Sequence, residues 1–170
     1  MHAPLPERVD VERAVATGRV YSGSVPLSVF ERLAGLLADT RGELRFELKF
    51  GRNEIGQRMA TLQADAALPL VCQTTLDRFE LPVRVDVRLG LIADEADEAG
   101  LPEGFEAALM DAGLVDPLAL LEDELILAVP VIARKPGVEV NAPAPAPAVE
   151  EERPHPFAAL AGFKRESRNI

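Results

Sequence analysis

Six basic side chains are the residues whose types and spacing most suggest a ligand site. They lie in or beside three segments in which apolar and polar residues alternate: Arg45, Lys49, Arg52, Arg58, Arg84 and Arg88. Because alternate side chains of a strand share a face, two adjacent strands could gather these cations into one positive patch that contacts RNA phosphates. The alternative interpretation is a set of ordinary exposed cations, because acidic residues alternate with them: Glu43, Glu47, Glu80 and Asp86. No aromatic residue stands between the cations, so a stacking platform for unpaired bases is not predicted.

Residues for covalent or metal catalysis are scarce. His2 and His155 are the two histidines, and both lie near the ends of the chain, so a His-based nucleophilic triad is implausible. Cys72 is the single cysteine, which excludes an internal disulfide framework and a Cys-rich zinc site. It has no local His or Lys to lower its pKa, and we expect it to pack as a small apolar residue. The prediction is a protein without enzymatic activity, catalytic residues, metal or cofactor.

Acidic residues are concentrated in one segment. The net charge of the chain is −10, which argues against a surface that binds nucleic acid or anionic lipid as a whole. Residues 89–133 hold 11 acidic residues and no Lys or Arg. The simplest interpretation is a solvated loop and helix face, and a second is a surface for a basic partner such as a ribosomal protein. A third is a weak Mg²⁺ site of a hydrolase or nuclease, with Glu122, Asp123 and Glu124 as its acids.

Three segments alternate between apolar and polar residues, as strands with one wet face do: residues 43–50, 58–68 and 79–92. Turn residues at 51–57 join the first two into a predicted hairpin, and a shorter strand is predicted at 19–27. Pro82 cannot donate a ladder hydrogen bond, so we expect it near a sheet edge or the start of its strand.

Two helices are predicted. One spans 28–40, where Ser28 could cap an apolar stripe, and the other spans 115–130, where Asp116 is an N-cap and Pro117 a first residue. Residues 93–113 indicate a loop with a helical turn at its end. The predicted fold class is α+β, with helices packed on one face of an antiparallel sheet, followed by a flexible Pro/Ala linker and a short C-terminal helical motif.

The C-terminal stretch "PHPFAALAGFKRE" follows a run of Ala and Pro that is typical of an extended linker. Phe157, Leu160 and Phe163 recur every three residues and would line one side of a short helix. A helix this short is unstable alone in water, so we expect it to be ordered only when it docks. These three residues are therefore the candidates for docking, either on this chain or on a partner.

These patterns predict four regions: an N-terminal segment 1–14, an α+β domain 15–136, a linker 137–153 and a tail 154–170. The start of the chain has prolines and acids where an export signal would have an apolar core. The longest apolar run, residues 125–133, is too short to span a bilayer. We therefore expect a cytoplasmic protein that has no membrane partner.

Four segments in a fixed order resemble a known family. They are "LPLVCQTTLDRFELPVRVDVRLGLI", the acidic spacer, "DPLALLEDELILAVPVIARK" and "HPFAALAGFK". The chain is similar over most of residues 15–166 to the YceD family of large ribosomal RNA subunit accumulation proteins. Many members have a second Cys where this chain has Thr75, so the resemblance carries no Cys-pair metal or redox site to this chain. His155 stands where the tail motif usually has Asn.

The resemblance implies a non-enzymatic ribosome-biogenesis factor that supports synthesis, processing or accumulation of large-subunit (23S) ribosomal RNA. Its partners would be the large-subunit rRNA precursor, a basic ribosomal protein or an rRNA-processing factor. The alternatives are a purely protein-binding adaptor and the metal-assisted hydrolase or nuclease described above.

Overall fold

A five-stranded sheet forms the centre of the structure, a computed structural model that describes residues 5–137. Its strands, in spatial order, are β2 (Val20–Pro26), β3 (Glu43–Arg52), β4 (Arg58–Val71), β5 (Arg78–Ile92) and β6 (Glu106–Leu109). The first four are antiparallel, and β6 runs parallel to β5. A separate two-stranded ribbon pairs β1 (Val9–Asp10) with β7 (Leu114–Val115). The predicted α+β class and the predicted hairpin of β3 and β4 are confirmed.

One face of the sheet is buried because every second side chain of its strands is apolar. Leu44, Phe46, Leu48 and Phe50 of β3 are between 0% and 8% exposed, whereas the charged residues between them are exposed. The same alternation continues on β4 through Ala60, Leu62 and Ala64. The strict alternation of apolar and polar residues therefore predicted the buried face of these strands correctly.

Three helices pack on this buried face: α1 (Val11–Ala16), α2 (Glu31–Ala34) and α3 (Pro117–Ala128). Helix α1 lies against β3 and β4, and α3 lies against β5 and α2. Asp116 caps α3 as predicted, because its carboxylate accepts hydrogen bonds from the backbone N–H groups of Leu118 and Ala119. Short 3₁₀ turns span Leu27–Val29 and Glu95–Gly100.

The predicted helix at 28–40 is wrong in length and in its cap. Only Glu31–Ala34 is α-helical, and Ser28 caps nothing. Leu27 and Phe30 are both fully buried. Phe30 adopts an extended conformation (φ −94°, ψ 93°) that separates the 3₁₀ turn at Leu27–Val29 from helix α2. Burial of these two side chains therefore outweighs helix continuity.

The predicted helical turn near residues 104–113 is also wrong, because Glu106–Leu109 forms strand β6. The strand pairs with Leu89–Ile92 after a connection that contains the second 3₁₀ turn. A connection of about a dozen residues is what a parallel pair requires, and the short run EAAL gives no periodicity that would reveal it. Pro82 lies as predicted, where β5 has only β4 as a neighbour among the described strands.

The fold includes residues before position 15. Val9 pairs with Val115, and Val9, Val11 and Ala14 belong to the core. None of the helices within residues 5–137 is long and apolar enough to cross a bilayer. The linker and the C-terminal motif lie outside the described residues.

Candidate functional site

The solvent face of the sheet, called here the open face, carries four of the six candidate cations. Three rows of side chains cross β3, β4 and β5 on this face: Arg45–Asp65–Arg84, Glu47–Gln63–Asp86 and Lys49–Thr61–Arg88. Residues two apart in a strand are separated by about 7 Å, so the middle row of acids lies between two rows of cations. The predicted sharing of a face by Arg45, Lys49, Arg84 and Arg88 agrees with this register.

Two of the four candidate cations on the open face already have partners in the fold. The Arg84 guanidinium lies 3.7 Å from the Asp65 carboxylate. The Arg88 guanidinium lies 5.1 Å from the centre of the Phe105 ring, a cation–π distance. Arg45 and Lys49 have no ion pair or hydrogen-bond partner within residues 5–137. Free positive charge on this face is therefore confined to β3.

Carboxylates of the open face are as numerous as its cations. Beside the four candidates the face exposes Arg78, and against these five cations it exposes five carboxylates: Glu43, Glu47, Asp65, Glu80 and Asp86. Asp86 in addition accepts a hydrogen bond from Gln63 at 3.3 Å. A face with this balance produces no extended positive potential, and such a potential is what attracts a phosphate backbone.

The other two candidate cations, Arg52 and Arg58, lie at one end of the opposite face. Their register places them in line with the buried residues Phe50 and Ala60. Both guanidinium groups bind the carboxylate of Glu12 in α1, at 3.2 and 2.9 Å. The structure therefore does not bring them together with the other four, and they tie α1 to the β3–β4 hairpin.

Cys72 is fully buried beyond the end of β4. Its sulfur accepts a hydrogen bond from the backbone N–H of Lys135 at 3.4 Å. This bond, followed by hydrogen bonds from the side chain and backbone of Thr75, lowers the pKa of the thiol to about 6. The residue packs in the core as predicted, and its sulfur also holds the segment after α3 against the end of the sheet.

The acids of α3 that were considered for metal chemistry are largely engaged in the fold. Glu122 accepts hydrogen bonds from the backbone N–H groups of Arg32 (2.7 Å) and Leu33 (3.1 Å) and from the Arg32 guanidinium (2.9 Å). It thereby caps α2 from a distant part of the chain. Burial raises the pKa of Glu122, but these hydrogen bonds outweigh it and keep that pKa below its ordinary value. Asp123 binds the same guanidinium at 2.7 Å.

No group of three or more Cys, His, Asp or Glu side chains within residues 5–137 is arranged to hold a metal ion. Glu122 directs its oxygens at α2, whereas Glu124 lies on the other side of α3. The three acids therefore do not converge on one point.

A groove between α3 and the β6–β7 region, called here the acidic groove, was not found by sequence reasoning. It has a volume of about 470 Å³. Apolar side chains form its floor and walls: Leu89, Ala108, Leu109, Leu114, Leu120 and Leu127. Its charged lining consists of one cation, Arg8, which binds Asp111, and five carboxylates: Glu106, Asp111, Asp116, Asp123 and Glu124. The signal in the sequence was the acidic segment itself, but its acids and leucines meet only through the unpredicted strand β6.

Glu124 is the least stabilised carboxylate of the acidic groove. Burial, and then the charges of Glu106 and Asp123, raise the pKa of Glu124 above its ordinary value. No cation binds Glu124 or Glu106 within the described part of the chain. The groove thus combines an apolar floor with negative charge that has no partner.

Phe157, Leu160 and Phe163 lie outside the described residues, as do His2 and His155. Their proposed docking role therefore stays a prediction from the sequence.

The described residues form an α+β domain with a five-stranded sheet. The family model for the Large ribosomal RNA subunit accumulation protein YceD matches residues 60–164, more than half of the chain. The chain therefore belongs to this family, as its motifs predicted. It is similar to the Large ribosomal RNA subunit accumulation protein YceD of Haemophilus influenzae, with 27% identity over 172 residues that cover 95% of this chain and 97% of that protein. No solved structure gives a significant match.

Proposed function

We propose that this protein supports the accumulation of large-subunit (23S) ribosomal RNA in the cytoplasm by binding a basic protein partner, without catalysing a reaction. The partner would be a ribosomal protein of the large subunit or an rRNA-processing factor. Membership of the YceD family carries this proposal, because the name of the family and of the Haemophilus relative describes rRNA accumulation.

The distribution of charge favours a protein partner over direct contact with RNA. The open face has no excess of cations over carboxylates, and Arg52 and Arg58 are held by Glu12. RNA binding depends on cations that neutralise phosphates, and the open face has no excess of them. The acidic groove has the opposite character and would attract a basic segment.

Deletion of the gene tests the proposed function. We expect the ratio of mature large-subunit to small-subunit rRNA to fall in the deletion strain and to recover when the wild-type gene is restored. Northern analysis or capillary electrophoresis of total RNA, under fast growth, slow growth and cold, measures this ratio. An unchanged ratio in all three conditions would remove the proposal.

The C-terminal motif is part of the same proposal. The family match runs to residue 164 and so includes Phe157, Leu160 and Phe163. We propose that these side chains dock as a short helix, because apolar anchors at this spacing suit a groove. The variant Phe157→Ala/Leu160→Ala should fail to restore rRNA ratios at wild-type protein levels, whereas shortening the Ala-Pro run should matter less. Full rescue by the double variant would show that the motif is dispensable.

A further inference from the structure

We propose that the acidic groove between α3 and β6 binds a basic amphipathic segment of a partner protein. An apolar side chain of that segment would enter between Leu109 and Leu127, and Lys or Arg side chains would face Glu106 and Glu124. The inference rests on the proposed function, since it names the site at which the basic partner is held.

The apolar part of the groove is exposed where a partner could reach it. Leu109 is 52% exposed on β6, and Leu127 is 72% exposed on α3. Leu114 and Leu120 lie between them and are half-buried, and Leu89 closes the floor. A single exposed leucine is common on protein surfaces, but leucines that face one another across a groove form a continuous apolar surface.

Helix α3 contributes side chains both to the core and to the apolar surface of the groove. Leu121 and Leu125 point into the core, where each is 1% exposed. Leu120, Glu124 and Leu127 follow at helical spacing on another side of the same helix and line the groove. Helix α3 therefore has a second apolar side that nothing in the described chain covers.

Three of the five carboxylates of the groove have an ion-pair or hydrogen-bond partner within residues 5–137, and two have no cation there. Asp111 is held by Arg8 at 2.7 Å, Asp116 caps α3, and Asp123 binds Arg32 at 2.7 Å. No cation binds Glu106 or Glu124 within residues 5–137, and the charge of Glu106 disfavours the charge of Glu124. A Lys or Arg of a partner placed between these two would remove the repulsion and bind both.

The exposed leucines and the carboxylates of the groove together indicate which kind of ligand would bind there. A volume of about 470 Å³ is within the range of sites that hold a few side chains. An apolar floor favours an apolar anchor, and two carboxylates without a cation partner within residues 5–137 favour a ligand that carries positive charge. RNA and anionic lipid present negative charge and would be repelled, so the complementary ligand is a basic amphipathic peptide.

A peptide-binding measurement on the full-length protein tests the site directly. The probe is a fluorescein-labelled peptide of Lys and Leu pairs (KKLLKKLLKK), compared with its acidic counterpart (EELLEELLEE) by fluorescence anisotropy. We expect saturable binding of the basic peptide only. Glu106→Gln/Glu124→Gln and, separately, Leu127→Ser should each raise Kd by about tenfold.

The matched control is Glu95→Gln/Glu98→Gln, which removes the same charge from an exposed 3₁₀ turn outside the groove. It should leave Kd within about twofold of the wild-type value, because its acids do not contact the peptide. Absence of binding, or an equal loss in control and groove variants, would overturn the proposal.

Complementation in cells separates this inference from the proposed function. In a deletion strain with a low rRNA ratio, Glu106→Gln/Glu124→Gln should fail to restore the ratio, whereas Glu95→Gln/Glu98→Gln should restore it. A photocrosslinking residue at position 127 should capture a basic protein. Full rescue by the groove variant, or crosslinks to RNA alone, would overturn the groove while the proposed function stands. A deletion strain with a normal ratio would instead remove the proposed function.

Discussion

The open face of the sheet and the acidic groove both carry many charged residues, but they differ in how those charges are paired. On the open face, rows of opposite charge follow one another, and Asp65 binds Arg84 within one row. In the groove, Glu106 lies close enough to Glu124 to raise its pKa, and no cation of the described residues binds either of them. The first surface nearly balances its own charges, and the second leaves negative charge beside exposed leucines.

The difference teaches that the identity of a charged residue says less about binding than its neighbours do. In the sequence, Arg residues in alternating segments suggest a positive binding patch, yet in the sheet their neighbours are acids that lower the local potential. Acids in a loop-like sequence look like a solvated surface, yet the fold places two of them around an apolar groove. A partner gains most where the fold leaves apolar surface and charge unsatisfied.

The largest effect is expected at Glu122, a carboxylate that the fold satisfies completely. The change Glu122→Ala leaves the backbone N–H groups of Arg32 and Leu33 without an acceptor and should lower the free energy of unfolding by about 2–4 kcal/mol. The matched control is Asp123→Ala, which removes an ion pair of the same Arg32 between two half-exposed side chains and should cost about 0–1 kcal/mol. Urea unfolding of both variants measures the difference, and equal costs would contradict the capping role of Glu122.

A second expected effect depends on pH and concerns Cys72. Because N–H donors lower the thiol pKa to about 6 in the folded protein, its thiolate stabilises the fold fully above the unfolded pKa of about 8.5. This stabilisation is lost as the pH falls through about 6. The stability difference between wild type and Cys72→Ala should therefore widen from pH 6 to pH 8.5. Chemical unfolding at several pH values tests this, and a constant difference would show that the sulfur stays protonated.

A smaller effect of opposite sign is expected at Glu124. Its pKa is raised, so the folded state binds the proton more tightly than the unfolded state does, and stability falls as the pH rises from the unfolded pKa of about 4.3 through the higher pKa of the folded state. Glu124→Gln should therefore be more stable than wild type at pH 7 and equal to it near pH 3. Parallel urea unfolding at the two pH values is the measurement. A variant that is less stable at pH 7 would mean that Glu124 has a partner in the fold, and the contrast between the two surfaces would weaken.

The strands and their buried faces could be predicted from the sequence because strict alternation has one physical meaning. Leu44, Phe46 and Leu48 point inward for the same reason that Arg45 and Glu47 point outward. The N-cap of α3 was equally readable, since Asp116 before Pro117 is a local signal. The family was recognisable because its motifs keep a fixed order along the chain.

The candidate site was much less predictable because it depends on contacts between distant residues. Glu122 caps α2 across about 90 positions, so its role cannot be read from neighbouring residues. Strand β6 has four residues and no periodic pattern, yet it brings Glu106 and Leu109 beside α3. Arg52 was grouped with the other cations because the prediction ended its strand at residue 50, and the continuation of β3 to Arg52 puts this residue on the opposite face. Arg58 was grouped with them although it begins the predicted strand 58–68, where it shares the face of the buried Ala60.

The smallest effect is expected from the quadruple change of Arg45, Lys49, Arg84 and Arg88 to Gln, which removes every candidate cation of the open face. Their side chains are exposed and make at most weak interactions with Asp65 and Phe105, so the stability change should stay within about 0.5 kcal/mol for each position.

We also expect full rescue of rRNA ratios in a deletion strain, because the proposed partner binds elsewhere. If these cations instead contact RNA, the variant should fail to rescue, and the salt dependence of RNA affinity should flatten by a slope of about 1 for each lost phosphate contact. That result would reverse the comparison, since the surface that nearly balances its charges would then be the functional one. Filter-binding titrations with large-subunit rRNA at several salt concentrations, beside the same titrations of Glu106→Gln/Glu124→Gln, distinguish the two outcomes.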